Sequence, residues 1–213
     1  MKVKLPIVLM TMLMISACQQ AYFNTMEKLG IPKQDILVDR VEDARDSQVE
    51  TQEQFKSALE RFTEVVDFDG GDLEKQYKAL NDEYEKSEKN AKEVKERIEA
   101  VESVAEALFE EWEDELDEYS SSKYRSIKQR ELEEARTRYN GLIKAMRKAE
   151  SKIPPVLAAF KDQVLFLKHS LNAQAVASLK SELTSVRADV SRLVREMQKS
   201  IDASNAYIES LSR

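Results

Sequence analysis

The sequence predicts an all-α protein, an elongated antiparallel helical bundle or coiled coil of about four long helices, on three observations. Only four glycines and four prolines punctuate 213 residues, so little stops a helix once it has begun. Charged residues make up 34% of the chain, enough to solvate long helical faces. Apolar residues recur at alternating spacings of four and three, the pattern that lines one face of a supercoiled helix.

The first stretch in chain order is a targeting signal. Lys2 and Lys4 precede an apolar run that ends in Ile15, Ser16, Ala17 and Cys18. A positive start, an apolar core of roughly 7 to 15 residues and small residues at the cut define a signal peptide, and a cysteine just past the cut makes it a lipobox. The run is well short of the roughly 20 residues that span a bilayer as a helix. Residues 1–17 are therefore read as a removable signal and Cys18 as the lipidation site, with a thioether-linked lipid and an acylated new amino terminus. Ile15 stands where leucine is commoner. By analogy with Gram-negative lipoproteins, Gln19 in place of an aspartate favours release to the outer membrane, on its periplasmic face. Two or three acyl chains, at about 0.8 kcal/mol per buried methylene, anchor durably where one does not.

Residues 18–33 form the tether, closed by Gly30 and Pro32, and residues 34–213 form the helical domain. A residue before proline avoids helical angles, so the first helix begins just after Pro32. It carries Leu37, Val41, Ala44, Gln48, Thr51, Phe55, Ala58, Phe62 and Val65 on one stripe and ends near Val66. Asp67, Asp69, Gly70 and Gly71 make a turn, and Asp72 caps the next helix. That second helix holds its register from Leu73 through Leu80, Val94, Ile98, Val101 and Leu108 to Tyr119, a rod of about 70 Å at 1.5 Å per residue. Its tyrosines, Trp112 and small alanines suit packing within one chain better than a tight parallel dimer.

Ser120, Ser121 and Ser122 turn the chain into a third helix with Leu132, Ala135, Tyr139, Leu142, Met146 and Ala149 inside. Pro154 and Pro155 are expected both to end it and to start a fourth, since proline is tolerated in a first turn. Short turns make sequence neighbours antiparallel, so a reversal is expected here. The fourth helix begins apolar on more than one side, from Val156 to Leu171, as though buried by several neighbours. Its later stripe, from Val176 and Leu179 through Leu193 and Met197 to Leu211, does not share that register. A break or stutter falls near Leu171 to Ala175. The unequal helices should leave the bundle's ends thinned to a two-helix coiled coil.

Composition narrows the function classes. Cleavage before Cys18 removes Lys2 and Lys4 and takes the formal net charge from −7 to −9. Nucleic-acid affinity rests on Lys and Arg displacing counterions, so no nucleic-acid partner is expected. With Cys18 lipidated and His169 the single histidine, a cysteine-histidine zinc site cannot be built. No metal, cofactor or catalytic residue is assigned, and the protein is expected not to be an enzyme.

Four local patterns remain. Residues 110–118, from Glu110 to Glu118, hold seven carboxylates; such a run is usually a solvated face, although like charges at i and i+4 oppose the helix. Asp39, Asp43 and Asp46 share a face with Arg40 and Arg45, which suits surface ion pairs more than a metal or acid-base site. His169 is read as packed or as capping the end of the apolar segment. Asp67, Asp69 and Gly71 lack the terminal glutamate of a calcium loop and are read as a turn.

Residues 33–48 (KQDILVDRVEDARDSQ), with Gln54 and Phe55 after them, and residues 160–173 (FKDQVLFLKHSLNA) resemble two signatures of an uncharacterised family of gammaproteobacterial lipoproteins classed only as a domain of unknown function. With the lipobox, the likeness covers nearly the whole chain. It implies a Gram-negative envelope setting and brings no activity or functional residue with it. Members are sometimes labelled as resembling DNA-repair ATPases, but the GxxxxGK[ST] loop that cradles phosphates is absent from this sequence. The expected role is that of a lipid-anchored structural or adaptor element reaching from the membrane, held through Cys18, to an envelope protein. The alternative is a periplasmic chaperone or ligand carrier using an apolar groove near Val156 to Leu171.

Overall fold

A computed structural model describes Met26 and residues 30–211 of the chain. Every regular element among them is an α-helix: α1 Lys33–Val66, α2 Leu73–Glu118, α3 Ser122–Glu150, α4 Ile153–His169 and α5 Ala173–Leu211. Cys18 and the signal at 1–17 lie outside the described residues.

Local chemistry sets the helix ends. Pro32 is extended, at φ −71° and ψ 151°, and its carbonyl accepts from the amides of Asp35 and Ile36, so α1 starts directly behind it. Past Val66 the chain reverses through Gly70 (φ 155°) and Gly71 (φ 120°), angles that side chains with a Cβ rarely adopt. The Asp72 carboxylate then accepts from the Lys75 amide at 3.1 Å, satisfying one of the free donors of α2's first turn. At the opposite end of α2, the Arg125 guanidinium donates to the carbonyls of Asp117 and Tyr119 and closes the corner into α3.

The proline pair does not reverse the chain, contrary to expectation. Ser151 and Lys152 keep right-handed helical angles, and their amides still bond back to Arg147 and Ala149 at 3.0 Å. Pro154 and Pro155 sit in the first turn of α4, where their missing amides cost nothing. With no residue leaving the helical region, α4 continues the direction of α3 after a bend. Together they carry as many helical residues as α2. The reversal comes at Ser170, which leaves the helical region at φ −145° and ψ 67°. Asn172 then caps α5, its side-chain oxygen accepting from the Ala175 amide at 3.0 Å. The register break read from sequence is thus a full corner, and the expected fourth helix is two.

The result is a four-helix bundle in which α1, α2, the α3–α4 unit and α5 run alternately up and down. Pairings along each seam fix the levels. Asp43 meets Arg97 at 3.0 Å and Gln54 meets Glu83 on α1 and α2. Arg136 meets Glu113 and Arg147 meets Glu102 on α3 and α2. Arg45 meets Asn205 and Lys148 meets Glu196, which places α5 beside both α1 and α3.

All nine α1 stripe residues read from the sequence are buried. In α2, Val104, Ala107 and Phe109 are buried besides the predicted stripe, because α2 packs against α1 on one flank and α3 or α4 on the other. The distal half of the core is aromatic: the Phe160 ring lies 6.4 Å from Phe55 and 6.3 Å, edge-on, from Phe62. Lys33 pairs with Glu111, so α1 starts level with the last two turns of α2. Past that level the α2–α3 corner projects as two helices among the described residues, the thinned end that was expected. The other end is closed by the α1–α2 turn and the α4–α5 corner.

Candidate functional site

Three of the seven carboxylates in the acidic run pair with neighbouring helices, and Glu110, Asp114, Glu115 and Glu118 are exposed. Glu111 pairs with Lys33 at 3.1 Å, Glu113 with Arg136 at 2.6 Å, and Asp117 with Arg125 at 4.0 Å. Arg136 also lies over the Phe109 ring, 5.3 Å from its centroid, which ties the charge pairing to the aromatic cluster of Phe109, Trp112 and Tyr139. This stretch holds the two-helix tip together. Among the described residues no group of three or more His, Cys, Asp or Glu side chains is arranged to hold a metal ion.

The other carboxylates read from sequence also serve the scaffold. Asp43 accepts from Arg40 of its own helix and from Arg97 of α2. Asp46 takes Arg45 at 2.8 Å, and Asp39 points to solvent. The structure therefore keeps these three apart as an ion-pair edge. Asp67, Asp69 and Gly71 form the α1–α2 turn. His169 is exposed, so it is not packed; it stands with Lys168 in the last turn of α4, where positive charge suits the negative end of the helix.

Two surface features remain. At the end where the described chain begins and stops, a crevice of about 420 Å³ opens between α2, α3 and the last turn of α5. Trp112, Leu116, Leu132 and Leu211 line it together with Glu115, Lys128 and Arg138. Lys128 is held by Glu131 at 2.7 Å, and the hydrogen bond to that carboxylate raises the lysine's pKa.

At the opposite end lies an apolar patch that sequence reasoning placed inside. Val156 to Leu171 was expected to be buried by several neighbours, yet α4 buries one stripe only: Ile153, Val156, Phe160, Val164 and Leu167. Leu165, Phe166 and Leu171 are each 43% exposed. The reason is topological: α4, like every member of a four-helix bundle, packs on its neighbours α2 and α5 through one side, and no helix among the described residues covers the other. The signal was present, since an all-round apolar helix either is enclosed or carries an interaction surface.

A family model described as a protein of unknown function, DUF2959, matches residues 22–211, and the chain belongs to that family. No curated protein and no solved structure matches it.

Proposed function

We propose that this member of a family without an assigned activity is a lipid-anchored adaptor: a rigid helical rod fixed to the outer membrane through Cys18 that presents its far end to a periplasmic protein. The carrying observation is the placement of the ends. Pro32, where α1 begins, and Leu211, where α5 ends, both lie at the crevice end beside Trp112, while the patch of Leu165, Phe166 and Leu171 occupies the other. A helix the length of α2 separates them, about 70 Å at 1.5 Å per residue. None of the helices among the described residues is long and apolar enough to cross a membrane, so attachment in this reading rests on the lipobox motif ending at Cys18.

The packed interior supports a rod over a carrier. The inward face of α4, where a groove for a client or ligand was the alternative, is filled by Phe160 against Phe55 and Phe62. A chaperone would need that face open.

The test is intact mass and membrane fractionation of the full chain. The expected outcome is a membrane-bound species lacking residues 1–17 and heavier than the remaining polypeptide by its acyl groups; Cys18→Ala should release the protein from the membrane. If Cys18→Ala leaves both mass and partitioning unchanged, the anchor reading is wrong.

A further inference from the structure

We infer that residues 22–29, expected from spacing to belong to the tether, form an amphipathic helix of their own that docks in the outer groove between the start of α1 and the last third of α2. Only residues 18–21 are then left between the lipidation site and the folded domain. Met26 supplies the first observation. It is helical and half-buried, with its side chain packed against the bundle core. Its carbonyl accepts from the Ile31 amide at 3.0 Å, and Gly30 between them has φ 82°. A bond from residue i+5 back to residue i across a left-handed glycine is the Schellman closure of a helix. Gly30 therefore stands just past a helix end, and Met26 lies in that helix's last turn.

The residues ahead of the closure suit a helix that packs through one side. Tyr22, Phe23, Met26 and Leu29 fall at i, i+1, i+4 and i+7, one face of a helix, while Asn24, Glu27 and Lys28 fall on the other. Four helical residues rise only about 6 Å, so Tyr22 lies one turn from Met26 and meets the same surface. The family match likewise begins at residue 22, ahead of α1.

Burial on the bundle shows where the segment sits. Lys33 meets Glu111. Ile36 lies one turn on from Lys33 along α1, and Ala107 lies one turn back from Glu111 along α2, so both border one groove on the side of that ion pair. Neither belongs to the stripe that spacing predicts, yet both are buried. Ala100 offers the like-for-like comparison. It stands one heptad before Ala107 on the same face of α2 and is only half-buried. Helix α1 passes both alanines, since Asp43 meets Arg97, and α3 and α4 pack on the other flank of α2. The added cover at Ala107 comes from a further segment, and among the described residues ahead of α1 it is Met26 that packs on the core.

The docked helix bears on the anchor. Fully extended at 3.3 to 3.6 Å per residue, residues 18–33 would reach about 55 Å and residues 18–21 about 14 Å. Within the adaptor reading, the short link holds the crevice end close to the bilayer and directs the length of α2 away from it.

Hydrogen exchange of the full chain, read by mass spectrometry, tests the docking apart from the anchor, because the groove is the same whether or not Cys18 carries lipid. The amides of residues 26–29 should exchange at least about tenfold more slowly than those of an unstructured segment, the effect of roughly 1.4 kcal/mol. Ala107→Arg places a long charged side chain where the helix sits and should return them to the unstructured rate. Met26→Asp should do the same from the segment's side while α3, α4 and α5 keep their protection. Unstructured rates in the native chain, or protection that survives either substitution, would overturn the docking. So would protection of residues 104–108 that falls on dilution, which would give the groove to a second copy. Membrane fractionation of the same preparations reports Cys18 separately: a chain that is unanchored yet protected at residues 26–29 would sink the adaptor reading and leave the docked helix standing.

Discussion

Phe55 and Gln48 stand two turns apart on α1 and both are fully buried, yet they meet opposite surroundings. Phe55 belongs to a dry layer in which Phe160 also touches Phe62. Gln48 belongs to a polar layer with Thr51 and Gln52 on α1 and Ser200 and Ser204 on α5. Some of that layer is satisfied: Gln52 donates to the Val194 carbonyl at 3.0 Å, and Ser204 donates to the Ser200 carbonyl at 2.9 Å. The side-chain amide of Gln48 and the hydroxyl of Ser200 have no hydrogen-bond partner among the described residues. Dispersion and apolar burial stabilise the first layer; the second costs stability, because an unpaired buried polar group loses about 1 to 3 kcal/mol of solvation. What such a layer can supply instead is register between α1 and α5, tied here by the Gln52 bond to the Val194 carbonyl.

Phe160→Ala should have the largest effect. Removing a fully buried phenyl ring costs about 3 to 5 kcal/mol, read as a lower midpoint in chemical denaturation. Hydrogen exchange should speed up in α4 before it does in α3. A loss under about 1 kcal/mol would mean that the aromatic layer does not carry the distal half. Gln48→Met tests the other layer and has the opposite sign. An unbranched apolar side chain of similar length should raise stability by about 1 to 3 kcal/mol, since the unpaired amide is removed. The same variant should broaden the exchange profile of α5 if the layer fixes register. A lower midpoint would show that Gln48 finds hydrogen bonds in solution and that the two layers are alike in kind.

The dry layer was legible in the sequence and the polar one only half so. Every α1 stripe residue, Gln48 and Thr51 included, could be placed inside from spacing alone, because burial on a helix follows period. Spacing does not say whether a buried amide finds a partner; that depends on which α5 residue comes level with it, a tertiary matter. The ends of α1 and α2 were likewise legible, because Pro32, Gly70, Gly71 and Asp72 each permit little else. Pro154 and Pro155 misled, since proline in a first turn suits a bend as well as a reversal. The useful clues were that no glycine, asparagine or aspartate between Glu150 and Pro155 offers a reversal, although Ile153 precedes a proline, and that Asn172 can cap a new helix after a corner. The exposed side of α4 was half legible: an apolar run on more than one side means enclosure or an uncovered face, and choosing between them requires the number of helices packed around it. Of the sites, residues 110–118 kept their predicted solvated character but proved to be paired across the tip, a contact invisible until α3 is folded back on α2.

Glu196 gives the smallest and most specific test, because it ties α5 to α3 one turn before Ser200, on the outer side of the polar layer. Its carboxylate takes Lys199 at 2.8 Å and Lys148 at 2.9 Å, and those two hydrogen-bonded ammonium groups hold its pKa down to about 2 from an ordinary 4.5. A carboxyl whose folded pKa is depressed stabilises the fold fully above its unfolded value and loses that contribution as pH falls toward its folded value. Between pH 7 and 5 the thermal midpoint of Glu196→Gln should therefore lie slightly below that of the native chain by a constant amount. The gap should close as pH falls from about 4.5 to about 2, and added salt should shrink it at pH 7, because the pair is near solvent. A gap that persists unchanged at pH 2 would assign the effect to packing of the side chain rather than to its charge. In that case the polar layer at Gln48 and Ser200 would be holding the register of α5 without an electrostatic tie to α3.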